Sequence, residues 1–134
     1  MADHNLPALV IDDDALIRRV LGVALNRAGV DSVLEAADGR EAKELIENGG
    51  GTFCLVVCDW LMPVMDGMEF LEYFRGVDSD TPFVMLTSVT DISGHNQAKS
   101  KGASHFFIKP LTDGDLEARF RSILELADEK SVSA

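Results

Sequence analysis

The feature that most constrains the fold is the uncharged run Cys54-Leu55-Val56-Val57-Cys58, which stops at the carboxylate of Asp59. Five consecutive apolar residues match a strand buried on both faces, as in the middle of a parallel sheet. Asp59 then stands at the end of that strand. Pro63 cannot continue a ladder and Asp66-Gly67 is turn chemistry, so residues 60–67 are expected to form a loop above the carboxyl ends of the strands. Open α/β sheets place their ligand sites there.

The rest of the chain repeats the alternation. Residues 8–12 read as a short strand, and from Asp14 the residues Leu16, Ile17, Val20, Leu21, Ala24, Leu25 and Ala28 recur at helical spacing until Gly29. Residues 32–36 form a second strand, Asp38 and Glu41 have capping-box spacing, and Ala42, Leu45 and Ile46 give the next helix a narrow apolar face closed by Gly49-Gly50-Gly51. Phe70, Leu71 and Phe74 mark a third helix, residues 83–86 a strand, and residues 91–101 a helix in which only Ile92 and Ala98 point clearly to a core. That helix is expected to be weakly held and movable. Residues 105–108 form a fifth strand stopped by Lys109-Pro110. Leu116, Phe120, Ile123, Leu124 and Ala127 mark a last helix with Thr112 as its expected cap. Five strands separated by helices imply an α/β fold, a doubly wound parallel sheet with helices on both faces.

The length of 134 residues suits one domain, expected over residues 6–128 with a short polar tail at 129–134. A net charge of -11 opposes direct binding to nucleic acid or to anionic membrane surfaces and favours a cation or a basic partner. No apolar run approaches the roughly 20 residues of a membrane span and the N-terminus lacks the pattern of a signal peptide, which leads to an expected cytoplasmic location. Cys54 and Cys58 lie on one face of one strand, about 13 Å apart at strand rise, too far for a disulfide. They read as small buried apolar side chains.

In such a sheet the strand ends bring Asp12-Asp13-Asp14, Asp59, Thr87-Ser88 and Lys109 to one crevice. Taken singly, an Asp run is an N-cap with solvated neighbours, Thr-Ser a turn and Lys-Pro a chain reversal. Taken together, the carboxylates suit a hard divalent cation, the hydroxyl donates one hydrogen bond, and the ammonium neutralises an anion.

The stretches Val10-Ile11-Asp12-Asp13-Asp14, Asp59 to Gly67, Leu86-Thr87-Ser88, Gly102-Ala103-Ser104 and Lys109-Pro110, in this order, resemble the receiver domains of two-component response regulators, in particular the stand-alone chemotaxis type. The resemblance implies a flavodoxin-like sheet of order 2-1-3-4-5. It implies that Asp59 accepts a phosphoryl group from a histidine kinase or phosphotransfer protein. It further implies that Asp13, Asp59 and the Leu61 backbone carbonyl bind Mg²⁺ with Asp12 acting through water, and that Thr87 and Lys109 hold the phosphoryl oxygens. By the same resemblance the Lys109-Pro110 peptide is cis, Leu61 and Val89 flank the path of the hydrolytic water, and Phe106 stands where many receivers carry a switch tyrosine. The partner surface is then the face of the fourth helix, fifth strand and last helix.

Such a chain is a signalling switch and turns over no free substrate. An aspartyl-nucleophile phosphatase would need a second Asp at position 61, which is Leu61, and a flavin-binding module would not place Asp12 to Asp14 where a phosphate must sit. The alternative is a receiver-like docking module that is never phosphorylated.

Overall fold

The computed structural model describes residues 6–88, 92–111 and 113–133. The chain order is β1 (Ala8–Ile11), α1 (Ala15–Arg27), β2 (Val33–Ala36), α2 (Gly39–Leu45), β3 (Leu55–Asp59), α3 (Gly67–Val77), β4 (Phe83–Thr87), α4 (Ile92–Ser100), β5 (His105–Ile108) and α5 (Asp113–Ser133), and after α2 the segment Ile46–Gly50 leaves helical geometry at Asn48 and Gly49. The strands form one parallel sheet of order β2-β1-β3-β4-β5. This is the expected flavodoxin-like topology. The order reverses between β1 and β3, so a crevice opens above the carboxyl ends of those two strands.

Side chains alternate across the sheet. Val10, Val57, Leu86 and Phe107 pack with Leu21 and Leu25 of α1 and Phe120 of α5, whereas Leu9, Val56, Phe83 and Met85 pack with Phe70 and Phe74 of α3. β1, β3 and β4 are buried along their whole length, which is why their sequences carry no polar alternation.

Local chemistry sets the boundaries. Asp14 caps α1 by accepting from the Leu16 N–H at 2.9 Å, and Gly29 leaves the helix at φ 106°. Leu16 departs from the expected apolar face and is 67 % exposed. Nine residues at roughly 100° each put it on the opposite side of the helix from buried Leu25. At α2 the Asp38 carboxylate accepts from the Glu41 N–H at 2.8 Å, but the return bond to Glu41 comes from Ala37, one residue before the cap. A full capping box occurs instead at Asp66 and Glu69, which starts α3 where the sequence suggested only a turn.

The expected cap Thr112 and the Ile92 side chain lie outside the described residues, while Ala98 is fully buried as expected. The backbone of α5 remains helical to Ser133, through the residues expected as a polar tail. Among the described residues no helix is long and apolar enough to cross a membrane. Cys58 is buried, Cys54 half-buried, and they form no disulfide.

Candidate functional site

Asp12 and Asp59 follow the fully buried residues Ile11 and Cys58, register partners on neighbouring strands, so both carboxylates emerge at the reversal of strand order. Oxygen atoms of Asp12, Asp13 and Asp59 lie within 4.8 Å of one another. Asp12 is 0 % and Asp59 7 % exposed, whereas Asp13 faces solvent.

Lys109 reaches this cluster from the end of β5. Its N–H donates to the Thr87 carbonyl at 2.9 Å, and the Lys109-Pro110 peptide is cis as expected. The ammonium sits 3.3 Å from Asp12 Oδ2 and 3.4 Å from Asp59 Oδ1, bridging the two buried carboxylates. Thr87, the last residue of β4, is buried and follows Leu86, the register partner of Asp59. The structure therefore brings Asp12, Asp13, Asp59, Thr87 and Lys109 to one end of the sheet. Leu61 is in the loop after Asp59 and is 64 % exposed. Val89 lies outside the described residues.

That loop is held against the strand. The Gly67 N–H donates to the Trp60 carbonyl at 2.8 Å, and a Cβ on Gly67 would collide with the Asp59 carbonyl oxygen and meet the Trp60 Cα at 2.9 Å. Only glycine allows α3 to start this close to the site.

Burial, reinforced by the negative charge of Asp12, raises the Asp59 carboxyl from 3.8 to about 6. Burial also raises Asp12, against the opposing Asp14 N–H and Lys109 charge. Burial alone would lower the Lys109 ammonium, but the carboxylates of Asp59 and Asp12 outweigh it and hold it above its ordinary value. The same burial, with Asp59 and Asp12 nearby, pushes the Cys58 thiol far up, so it stays protonated. An all-oxygen cluster with more negative than positive charge is the donor set of a hard cation, and the residues present fit Mg²⁺.

Two contacts were not apparent in the sequence. Arg18 of α1 donates from Nη1 to the Asp12 carbonyl at 2.6 Å and from Nε to Glu35 of β2 at 2.9 Å. His95 of α4 stacks on Phe106 of β5 with ring centres 4.7 Å apart and planes 3° from parallel. Phe106 is half-buried, and its carbonyl accepts from Arg119 of α5 at 3.0 Å. Helical spacing identified neither contact, because each joins residues from different elements; aromatic and basic residues alone carry no such signal.

Residues 8–121 match the family model of the response regulator receiver domain. The probable transcriptional regulator ycf27 of Porphyridium aerugineum is 41 % identical over 123 residues, covering 92 % of this chain and 50 % of that protein, so the chain spans about half the length of this curated relative. Chemotaxis protein CheY4 of Vibrio cholerae superposes with a TM-score of 0.78 at 32 % identity, covering 88 % of this chain and 98 % of the other. The CheX-CheY-BeF3-Mg+2 complex of Borrelia burgdorferi gives 0.80 at 26 % identity, with 88 % of each chain covered. With the family model spanning all five strands and every side chain of the acidic crevice, this chain belongs to the response regulator receiver domains of two-component systems.

Proposed function

We propose that Asp59 is the phosphoacceptor of a two-component phosphorelay, and that the chain acts in the cytoplasm as a switch supplied by a sensor histidine kinase or a phosphotransfer protein. The observation that carries this reading is the Lys109 ammonium bridging two buried carboxylates, one of which ends the central strand. With its carboxyl raised to about 6, Asp59 is mostly ionised at pH 7 and available as a nucleophile.

An Asp59 oxygen attacks phosphorus in line as the bond from phosphorus to the donor nitrogen breaks, and the donor imidazole leaves with the electron pair. Lys109 neutralises oxygens of the incoming phosphoryl group, and the Thr87 hydroxyl donates to one of them after transfer. Asp12, Asp13, Asp59 and the Leu61 carbonyl would hold Mg²⁺, which supplies charge neutralisation at the phosphoryl oxygens. The Borrelia burgdorferi complex, a similar fold with BeF3 and Mg+2, supports that assignment.

The chain performs only its own phosphorylation and dephosphorylation, the latter tuned by Leu61 and Val89. Phe106 and the face formed by α4, β5 and α5 carry the output to a downstream protein. Acetyl phosphate with Mg²⁺ is expected to add one phosphoryl group by intact mass. Equal labelling of Asp59→Asn, or labelling unaffected by EDTA, overturns the assignment of Asp59 or of the metal.

A further inference from the structure

We infer that Arg18 is a positioning residue for the cation site, a role that rests on the phosphoacceptor reading above. Of the three clustered carboxylates, Asp13 is the exposed one, and no hydrogen bond among the described residues holds its side chain. Its place in the cluster is set by the peptide groups on either side of its Cα. The preceding carbonyl, that of Asp12, accepts from Arg18 Nη1 at 2.6 Å, and the following N–H, that of Asp14, donates to Asp12 Oδ1 at 2.9 Å. Both flanking peptides are thereby fixed, and the Asp13 side chain leaves the backbone in one direction.

The guanidinium is itself oriented. Arg18 is mostly buried, and Glu35 accepts from its Nε at 2.9 Å, leaving Nη1 aimed at the Asp12 carbonyl. Glu35 sits on β2 opposite Val10, two residues before Asp12. One planar fork thus ties β2, α1 and the junction that presents the acidic pair, a geometry a point-charge ammonium does not reproduce.

Electrostatics and positioning predict opposite outcomes when Arg18 is removed. Deleting a cation beside a cluster of carboxylates strengthens their attraction for Mg²⁺ by Coulomb's law alone. Releasing the Asp12 carbonyl loosens Asp13 and weakens binding. Positioning is the larger effect because the 2.6 Å bond acts on the peptide that carries Asp13, whereas the Arg18 charge is already offset by Glu35.

Mg²⁺ affinity of the full chain is measured by isothermal titration calorimetry at constant ionic strength, without phosphodonor. The proteins are the parent, Arg18→Met, Glu35→Gln and Arg19→Met. Arg18→Met is expected to bind about tenfold more weakly and Glu35→Gln about threefold more weakly. Arg19→Met, which removes the same charge from an exposed neighbour on the same helix, is expected to bind equally or more tightly. With acetyl phosphate, the Mg²⁺ concentration for half-maximal labelling of Arg18→Met rises while the rate at saturating Mg²⁺ stays within about twofold of the parent. Parental or tighter binding by Arg18→Met overturns the inference and leaves the phosphoacceptor reading standing. A parent that binds no Mg²⁺ overturns both, and an Arg18→Met that fails to fold leaves Glu35→Gln to decide by the same measurement.

Discussion

Replacing Asp59 by asparagine removes one of two negative charges buried beside a single ammonium, and the metal-free protein is expected to become more stable. Folding raises the Asp59 carboxyl from 3.8 to about 6, so the ionised form is disfavoured in the native state by about 2 to 3 kcal/mol. A group raised on folding contributes stability that is fully present below the unfolded value of 3.8 and lost as pH rises through about 6. At pH 7.5 the parent therefore carries nearly the whole penalty and Asp59→Asn carries none. Lowering the pH to 5 returns about 1.4 kcal/mol to the parent through protonation. For a chain of this length the variant should melt roughly 7 °C above the parent at pH 7.5, and the gap should shrink by several degrees at pH 5.

The assay is thermal and urea unfolding of both proteins in EDTA at the two pH values. Comparing them cancels titrations common to both. Burial pulls Asp78 upward, but bonds from the Thr81 hydroxyl and the Thr81 and Asp80 N–H groups, with the Arg75 charge, hold it below its ordinary value. Its contribution is present above 3.8 and lost only as pH falls through that lower value, outside the window used. Mg²⁺ at about ten times its Kd should stabilise the parent by about 1.4 kcal/mol at pH 7.5 and Asp59→Asn by much less. An Asp59→Asn protein no more stable than the parent at pH 7.5, or a gap independent of pH, refutes the reasoning.

Gly67→Ala drives a methyl into the Asp59 carbonyl and should destabilise by about 1 to 3 kcal/mol in urea unfolding, with slower labelling by acetyl phosphate. The double substitution Leu61→Asn, Val89→Glu adds water-orienting groups at two apolar positions and should speed decay of the phosphorylated protein several-fold, a barrier lower by about 1 kcal/mol; unchanged decay in Mg²⁺ without phosphatase would show that water access there does not set the lifetime. The Cys58 thiol, buried and held protonated, should react with a thiol reagent only at the rate of unfolding, followed by mass spectrometry under native conditions.

The strands were legible because β1, β3 and β4 are buried on both faces, and full burial leaves an uncharged run in the sequence. The edge strand β2 is less distinct: Glu35 lies exposed within it and serves Arg18 instead of the core. Asp12 and Asp59 were legible for a related reason, since a charge that ends or follows a buried strand must emerge at the sheet's end, whereas Lys109 follows the partly exposed β5 and was marked by the proline after it. Strand order came from the family resemblance, as no periodicity in one strand specifies its neighbour.

What stayed hidden depends on side chains that meet across elements. Arg18 and Glu35 are 17 residues apart, and the stacked His95 and Phe106 come from α4 and β5. Trp60 is a further case: its ring lies 3.0 Å from where a Cβ on Gly94 would stand, so the residue after Asp59 packs directly on α4. A side chain at Gly94 would force that ring to move. The loop that follows Asp59 and the helix expected to be movable thus share one close contact. Among the described side chains of α4, Ala98 is buried and His95 stacks on Phe106. Trp60 thus joins Asp59 to α4, while Lys109, which bonds the Thr87 carbonyl, joins the same carboxylate to the end of β5. Both routes converge on Phe106, which packs against His95 of α4 and lies on β5 itself. On the function proposed above, a charge change at Asp59 would bias two elements of a single face together, as a two-state switch requires.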